Sequence, residues 1–320
     1  MLKVENLVKK YGEKYAVNDV SFEIGEGEIV GFLGPNGAGK TTIMNIITGF
    51  LSYTSGSCTI DVFEILENPT EAKKLIGYLP DQPPLYPEMT VKEYLNFVFE
   101  LKGCTFNRKK HIMEVCEVTK IVDMRDRLIK NLSKGYCQRV GIAQALIGNP
   151  KVIILDEPTV GLDPKQMIEI RNLIRSLGRD HTVILSTHVL SEVQAVCDRI
   201  IIMNKGKIAA DERTDRLTEL MSGTRRLQAK IVGNRKSILD SLNALDCVSY
   251  VEAGKDMNSG EGITFKIESK DGKDIRKEIF ELCARNNTPI MGMEIVTSSL
   301  EDVFLNVTKE ISRKKAKASK

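Results

Sequence analysis

Residues 34–42 read Gly34, Pro35, Asn36, Gly37, Ala38, Gly39, Lys40, Thr41 and Thr42, a pattern suited to the phosphates of a nucleoside triphosphate. Glycines 34, 37 and 39 allow a tight turn that aims backbone N–H groups at the β- and γ-phosphates, and a helix N-terminus just beyond adds partial positive charge. Lys40 offers a point charge to the same oxygens, and the Thr41 hydroxyl is placed to ligate Mg²⁺. A glycine-rich turn with no ligand is the bland alternative, but the spacing and both flanks fit phosphate binding. A second cluster supplies the acid chemistry: in Asp156-Glu157, Asp156 is expected to hold Mg²⁺ directly or through water, and Glu157 to polarise an attacking water. His188, one of three histidines, follows Ser186-Thr187 and is placed to hydrogen-bond a γ-phosphate.

The elements that must position these groups are legible around them. Glu28–Leu33 is an apolar run suited to a buried strand, and Thr41–Ile47 suits the helix that follows the loop. Lys151–Leu155 is β-branched and apolar, as in a strand covered on both faces, and it ends at Asp156 and Glu157, with Pro158 making continued strand unfavourable. Thr182–Ser186 repeats that character before His188. Strands of this kind form a parallel sheet whose carboxyl ends carry the ligand groups. His111 and His181 lie among polar and charged residues and are expected to face solvent.

Over residues 1–220 the sequence resembles the ATP-binding cassette (ABC) family of ATPases. Tyr11, after an opening strand at Lys3–Val8, matches the aromatic that stacks on adenine. Gln82, within Tyr78-Leu79-Pro80-Asp81-Gln82, matches the glutamine that contacts Mg²⁺ and the attacking water and senses a membrane partner. Leu132-Ser133-Lys134-Gly135-Tyr136 matches the family's signature, Val160-Gly161-Leu162-Asp163 its dimer-crossing loop, and His188 its switch histidine. The resemblance implies that Ser133 and Gly135 complete the ATP site of a second subunit. Two positions depart from the usual signature: Lys134 stands for a glycine and Tyr136 for a glutamine. Ser133 still precedes a helix-compatible run to Ile147, so its hydroxyl can cap that helix, while Lys134 either adds charge there or projects into solvent.

Between Gln82 and Ser133 the sequence turns helical, in a subdomain expected over about residues 88–148. Thr90-Val91-Lys92-Glu93 is a capping-box pattern, and Tyr94, Leu95, Val98 and Leu101 follow at core-facing spacing. Phe97 and Phe99 fall off that stripe and, with Pro84, Leu85 and Tyr86, outline an exposed groove for a partner helix. After about residue 220 the pattern becomes β-α-β-β-α-β, with strands at Arg226–Val232, Cys247–Glu252, Gly262–Ile267 and Ile290–Val296 and helices at Lys236–Leu245 and Lys273–Asn286. That order is ferredoxin-like and carries no catalytic cluster, so residues 221–308 are expected to form an accessory domain. Asn258–Gly262 would turn between the middle strands, and Ser298-Ser299-Leu300-Glu301 would start a last helix. This appendix, with Ser299–Phe304, resembles ABC subunits of the drug, antibiotic and gliding-motility export branch. Lys309–Lys320 reads as a basic tail.

Composition limits the alternatives. A chain of 320 residues with 42% hydrophobic content can bury a substantial core. A net charge of +3 gives no argument for a nucleic-acid surface, and seven cysteines without CxxC spacing argue for reduced thiols. No run approaches the ~20 apolar residues needed to span a bilayer, and the opening residues carry no signal sequence. The expectation is therefore an α/β phosphate-loop ATPase of ABC type, with an inserted helical subdomain and a small α+β C-terminal domain. It would use ATP and Mg²⁺, dimerise with itself or a paralogue, and sit on the cytoplasmic membrane face against a separately encoded permease. The alternative is a soluble ABC ATPase acting on ribosomes or nucleic acid. Such proteins generally carry two cassettes or long coiled coils, which this sequence lacks.

Overall fold

The computed structural model describes residues 2–215, 225–254, 262–270 and 274–297. The chain divides into two compact units, Met1–Thr214 and Asp215–Lys320.

In the first unit, β1 (Leu2–Tyr11) and β2 (Lys14–Ile24) alternate buried apolar residues with exposed polar ones, the signature of an antiparallel sheet with one wet face. With β4 (Ser55–Ile60) and β5 (Phe63–Glu64) they form a sheet in the order β2-β1-β4-β5. A six-stranded sheet lies beside it, built from β3 (Ile29–Leu33), β6 (Ile76–Leu79), β7 (Val152–Asp156), β8 (Thr182–Thr187), β9 (Arg199–Asn204) and β10 (Lys207–Arg213) in the order β10-β9-β3-β8-β7-β6. All its pairings are parallel except β9 with β10. Every residue of β3, β7 and β8 is buried, which accounts for their unbroken apolar runs. Phe22 and Phe32 join the two sheets edge to face, with ring centres 5.1 Å apart.

Helix α1 (Lys40–Ile47) follows β3 directly, and α2 (Pro69–Lys74) leads into β6. Then come α3 (Val91–Leu101), α4 (Arg108–Val118), α5 (Lys134–Leu146), α6 (Pro164–Leu177) and α7 (Leu190–Val196). Thr90 and Glu93 form the expected capping box, while Ser133 caps α5 and Asp163 caps α6. The buried stripe of α3 is Val91, Tyr94, Leu95, Val98 and Phe99. It begins one turn earlier than the sequence reading placed it, so Phe99 belongs to the core and Leu101 stands 74% exposed. The groove expected to include Phe99 therefore lacks it. His111 and His181 are also not free in solvent: Gly148 N donates to His111 Nε2 at 3.2 Å, and His181 Nδ1 lies 2.7 Å from the Pro150 carbonyl.

The second unit runs β11 (Arg225–Ile231), α8 (Arg235–Asn243), β12 (Val248–Ala253), β13 (Ile263–Ser269), α9 (Arg276–Arg285) and β14 (Ile290–Thr297). Its antiparallel sheet has the order β12-β13-β11-β14. Leu227, Ala229 and Ile231 of β11 and Phe265 and Ile267 of β13 share a core with Ile238 and Leu242 of α8 and Ile279 of α9. Both helices thus cover one face of the sheet. Most of the expected turn at Asn258–Gly262, the helix from Ser298, the Ser299–Phe304 segment and the tail from Lys309 lie outside the described residues.

Candidate active site

The loop at 34–42 leaves the carboxyl end of β3, and its shape depends on two glycines that have no room for a side chain. A Cβ on Gly34 would stand 2.5 Å from the Met203 carbonyl, and one on Gly39 would stand 2.6 Å from that of Ala16. Gly39 also holds φ at +106°, a conformation a side chain resists. Gly39 is the N-cap of α1, and no side chain caps that helix end. Its first N–H groups are left for an external acceptor. Asn36–Thr42 of the loop line a cleft of about 320 Å³ together with Tyr11, Lys14, Tyr15 and Ala16.

Lys40 is buried, and its ammonium donates to the Gly34 carbonyl at 2.6 Å and to the Pro35 carbonyl at 3.3 Å. Burial lowers its pKa, opposed by the charges of Glu157 and Asp156. The loop is thus closed on its own cation, with the acidic pair within electrostatic range. Asp156 ends β7 opposite Ser186 of β8 and is 6% exposed. Burial pushes its carboxyl pKa up, with the neighbouring Glu157 and Asp81 charges adding to the shift and Lys40 countering it. A cation there would offset the desolvation of the ionised form.

Glu157 takes φ +49°, which turns it off the strand, and its N–H donates to the Ser186 carbonyl at 2.8 Å. Its Oε1 accepts from His188 N at 3.1 Å and lies 2.7 Å from His188 Nδ1, and its Oε2 accepts from the Thr187 hydroxyl at 3.2 Å. Because β3, β8 and β7 are neighbours in one parallel sheet, the structure brings the phosphate loop, His188 and the acidic pair to one edge. Gln82 lies exposed in the loop after β6, the strand next to β7.

These groups fit a nucleoside triphosphate and a hard divalent cation. Among the described residues no cluster of three or more His, Cys, Asp or Glu side chains can hold a metal. A cation here would rely on one buried carboxylate, a hydroxyl and the phosphates themselves, which is the way Mg²⁺ is commonly bound.

Tyr11 is the last residue of β1 rather than following it, and its ring is 54% exposed at the cleft with Lys9 Nζ 5.4 Å from the ring centre. Tyr15, which the sequence reading passed over, lies across the hairpin opposite Lys10, with Lys10 Nζ 4.5 Å from its ring centre. The visible signal was the tight Gly12-Glu13 turn, which returns Tyr15 beside the end of β1.

Ser133 and Gly135 do not line this cleft. The Ser133 hydroxyl accepts from Tyr136 N at 3.4 Å, and Gly135 lies under the Gln166 side chain of α6. Lys134 folds over Gly161: a Cβ there would stand 2.1 Å from the Lys134 ammonium. The signature segment and the 160–163 loop therefore form a single surface apart from the cleft of their own chain.

A family model described as ABC transporter matches residues 17–160. The chain is 35% identical to "Uncharacterized ABC transporter ATP-binding protein YxlF" of Bacillus subtilis (strain 168), over 96% of this chain and 99% of that protein. It is 32% identical to "Linearmycin resistance ATP-binding protein LnrL" of the same organism, over 96% of this chain and 98% of that protein. Among solved structures, a dimeric ATP-binding cassette in a post-hydrolysis state bound to ADP and Pi is 31% identical with a TM-score of 0.61, covering 67% of this chain and 99% of that one.

Proposed function

This chain belongs to the ABC transporter ATP-binding proteins, and from that premise we propose that it drives export through a separate membrane permease by closing and opening as an ATP-dependent dimer. The chain itself is an ATPase that binds and hydrolyses ATP as the nucleotide subunit of an ABC transporter. The observation that carries the mechanism is the convergence of Lys40, Asp156, Glu157 and His188 at one sheet edge.

In this reading Lys40 leaves the Gly34 and Pro35 carbonyls to meet the β- and γ-phosphates. Tyr11 supplies an open ring face for adenine. Thr41 and Asp156, together with Gln82 of the loop after β6, would hold Mg²⁺, whose charge would offset that of the triphosphate. Glu157 polarises the attacking water and His188 steadies both Glu157 and the γ-phosphate. Ser133 is exposed at the start of α5, with Gly135 just behind it under Gln166, and in this reading that helix end completes the nucleotide site of a second subunit, a pairing that the solved dimeric cassette supports. The resistance named for one relative supports export, and no helix among the described residues is long and apolar enough to cross a membrane. We place the subunit on the cytoplasmic membrane face, with residues 221–308 as an accessory domain.

The surface that suits the permease is the proline-rich loop beside α3. Tyr86 is 50% exposed and Phe97 37%, with their rings edge to face at 5.5 Å. Tyr86→Glu with Phe97→Glu should abolish co-purification of an integral membrane protein from detergent-solubilised membranes, with basal ATPase within about twofold of wild type, as expected for surface changes away from the reacting groups. Recovery of no membrane protein with the wild-type chain would overturn the permease reading.

A further inference from the structure

Beneath the reacting edge lies a second carboxylate that the nucleotide chemistry does not use. Glu192, in the first turn of α7, is 3% exposed. Its Oε1 accepts from the Thr159 hydroxyl and lies 3.9 Å from Arg171 Nη2. Its Oε2 accepts from the Thr187 hydroxyl at 3.2 Å, the distance at which the same hydroxyl meets Glu157 Oε2. Val189 N donates to Thr187 Oγ at 3.1 Å and occupies a lone pair.

A threonine hydroxyl has one proton. With two carboxylates in reach it can serve only one at a time, and the other then loses a donor. Thr187 is fully buried, so water cannot replace the missing bond from its side. Glu192 has Thr159 and Arg171 in addition, whereas Glu157 has His188. Both arrangements are therefore supported by other partners, as a two-position element requires.

We propose that Thr187 is a positioning residue whose single hydroxyl proton alternates between Glu157 and Glu192, holding Glu157 at rest and freeing its Oε2 lone pairs for the attacking water when the proton turns to Glu192. This rests on Glu157 being the water-polarising carboxylate. Through Thr159, Glu192 also touches the turn that leads into the 160–163 loop, so the proton's position is felt where a second subunit would dock. Without the hydroxyl, the two carboxylates face each other with no donor between them, and Glu157 is repelled from its working position.

The test compares Thr187→Val, Thr187→Ser and Glu157→Gln in the full chain by steady-state ATP hydrolysis, with thermal melting to confirm folding. Thr187→Val should lower kcat about ten- to a hundredfold, the range for losing a hydrogen bond to a charged group, while KM for ATP stays within about twofold. Thr187→Ser keeps the proton and should restore kcat to within about threefold of wild type. A folded Thr187→Val protein with wild-type kcat overturns the proposal, as does failure of Thr187→Ser to recover activity. Glu157→Gln separates the two readings: if it hydrolyses ATP at the wild-type rate, the role of Glu157 falls, whereas an inert Glu157→Gln beside a normal Thr187→Val removes only the alternation.

Discussion

His188 Nδ1 lies 2.7 Å from Glu157 Oε1, and the same oxygen accepts the His188 backbone N–H at 3.1 Å. One residue therefore holds the carboxylate at two points, and only the ring contact can be removed by substitution. His188→Ala should lower kcat by about a hundredfold, at the lower end for loss of a group acting on proton transfer. The nucleotide dissociation constant should hold within a few fold, because Lys40 and the loop amides are untouched. Single-turnover hydrolysis and fluorescent-nucleotide titration measure the two, and a near wild-type kcat would remove His188 from the reaction.

The loop geometry predicts a graded glycine response. Gly12 and Gly39 both hold positive φ, at +56° and +106°, but a Cβ on Gly12 meets nothing within 4 Å while one on Gly39 meets the Ala16 carbonyl at 2.6 Å. Gly12→Ala should cost only the conformational penalty of about 1 kcal/mol. Gly39→Ala should cost at least about 2 kcal/mol more through the backbone clash, and should abolish ATP binding by displacing the first turn of α1. Denaturant midpoints of the two variants, compared with wild type, give the difference. Equal midpoints would show that the loop yields at Ala16 without loss.

The phosphate loop and the acidic strand end were legible in the sequence because their chemistry demands fixed residue types at fixed spacing. The strands around them were legible for a different reason: a sheet covered on both faces leaves unbroken runs such as Ile153–Leu155. What stayed hidden depends on side chains distant in sequence. Nothing local marks Glu192 as buried, since an acidic residue in a first helical turn is ordinarily a solvated end charge. Its surroundings come from Thr159 and Arg171 on other elements. The α3 stripe was misplaced because Val91 lies inside a capping box, where the polar neighbours masked the first core residue.

Lys102 gives a pH dependence with a definite sign. Its ammonium donates to the carbonyls of Ile147 at 2.6 Å and Ala145 at 3.4 Å at the end of α5, and burial lowers its pKa to about 8. An unfolded lysine keeps its proton to about pH 10.4. Between those values the unfolded chain binds more protons, so the cost of burying this ammonium is relieved and stability rises with pH. Relative to Lys102→Met, which cannot titrate, wild type should gain about 2 kcal/mol between about pH 7.5 and pH 10. Urea unfolding of both proteins across that range measures the difference. A difference that is flat with pH would mean that Lys102 stays charged in the fold.

The outward placement of Ser133 predicts complementation between two inactive variants. Ser133 caps α5 and does not line the cleft of its own chain. Ser133→Arg removes a cap worth about 1 kcal/mol and puts a bulky cation where the partner's nucleotide would meet the helix end. Each Ser133→Arg subunit should still bind ATP with nearly wild-type affinity, yet should neither form ATP-dependent dimers nor turn over. Lys40→Ala fails for the opposite reason, since its phosphate loop lacks the cation while its Ser133 surface is intact. In a mixed dimer, the loop of the Ser133→Arg chain meets the sound Ser133 of the Lys40→Ala chain, which rebuilds one complete site. Equal mixing makes half the dimers mixed, each with one of two sites, so activity should recover to at most about a quarter of wild type, as a two-fold symmetric assembly requires. ATPase of the mixture against each parent alone measures it. No recovery on mixing, together with unchanged ATP-dependent cross-linking in Ser133→Arg alone, would overturn the shared site.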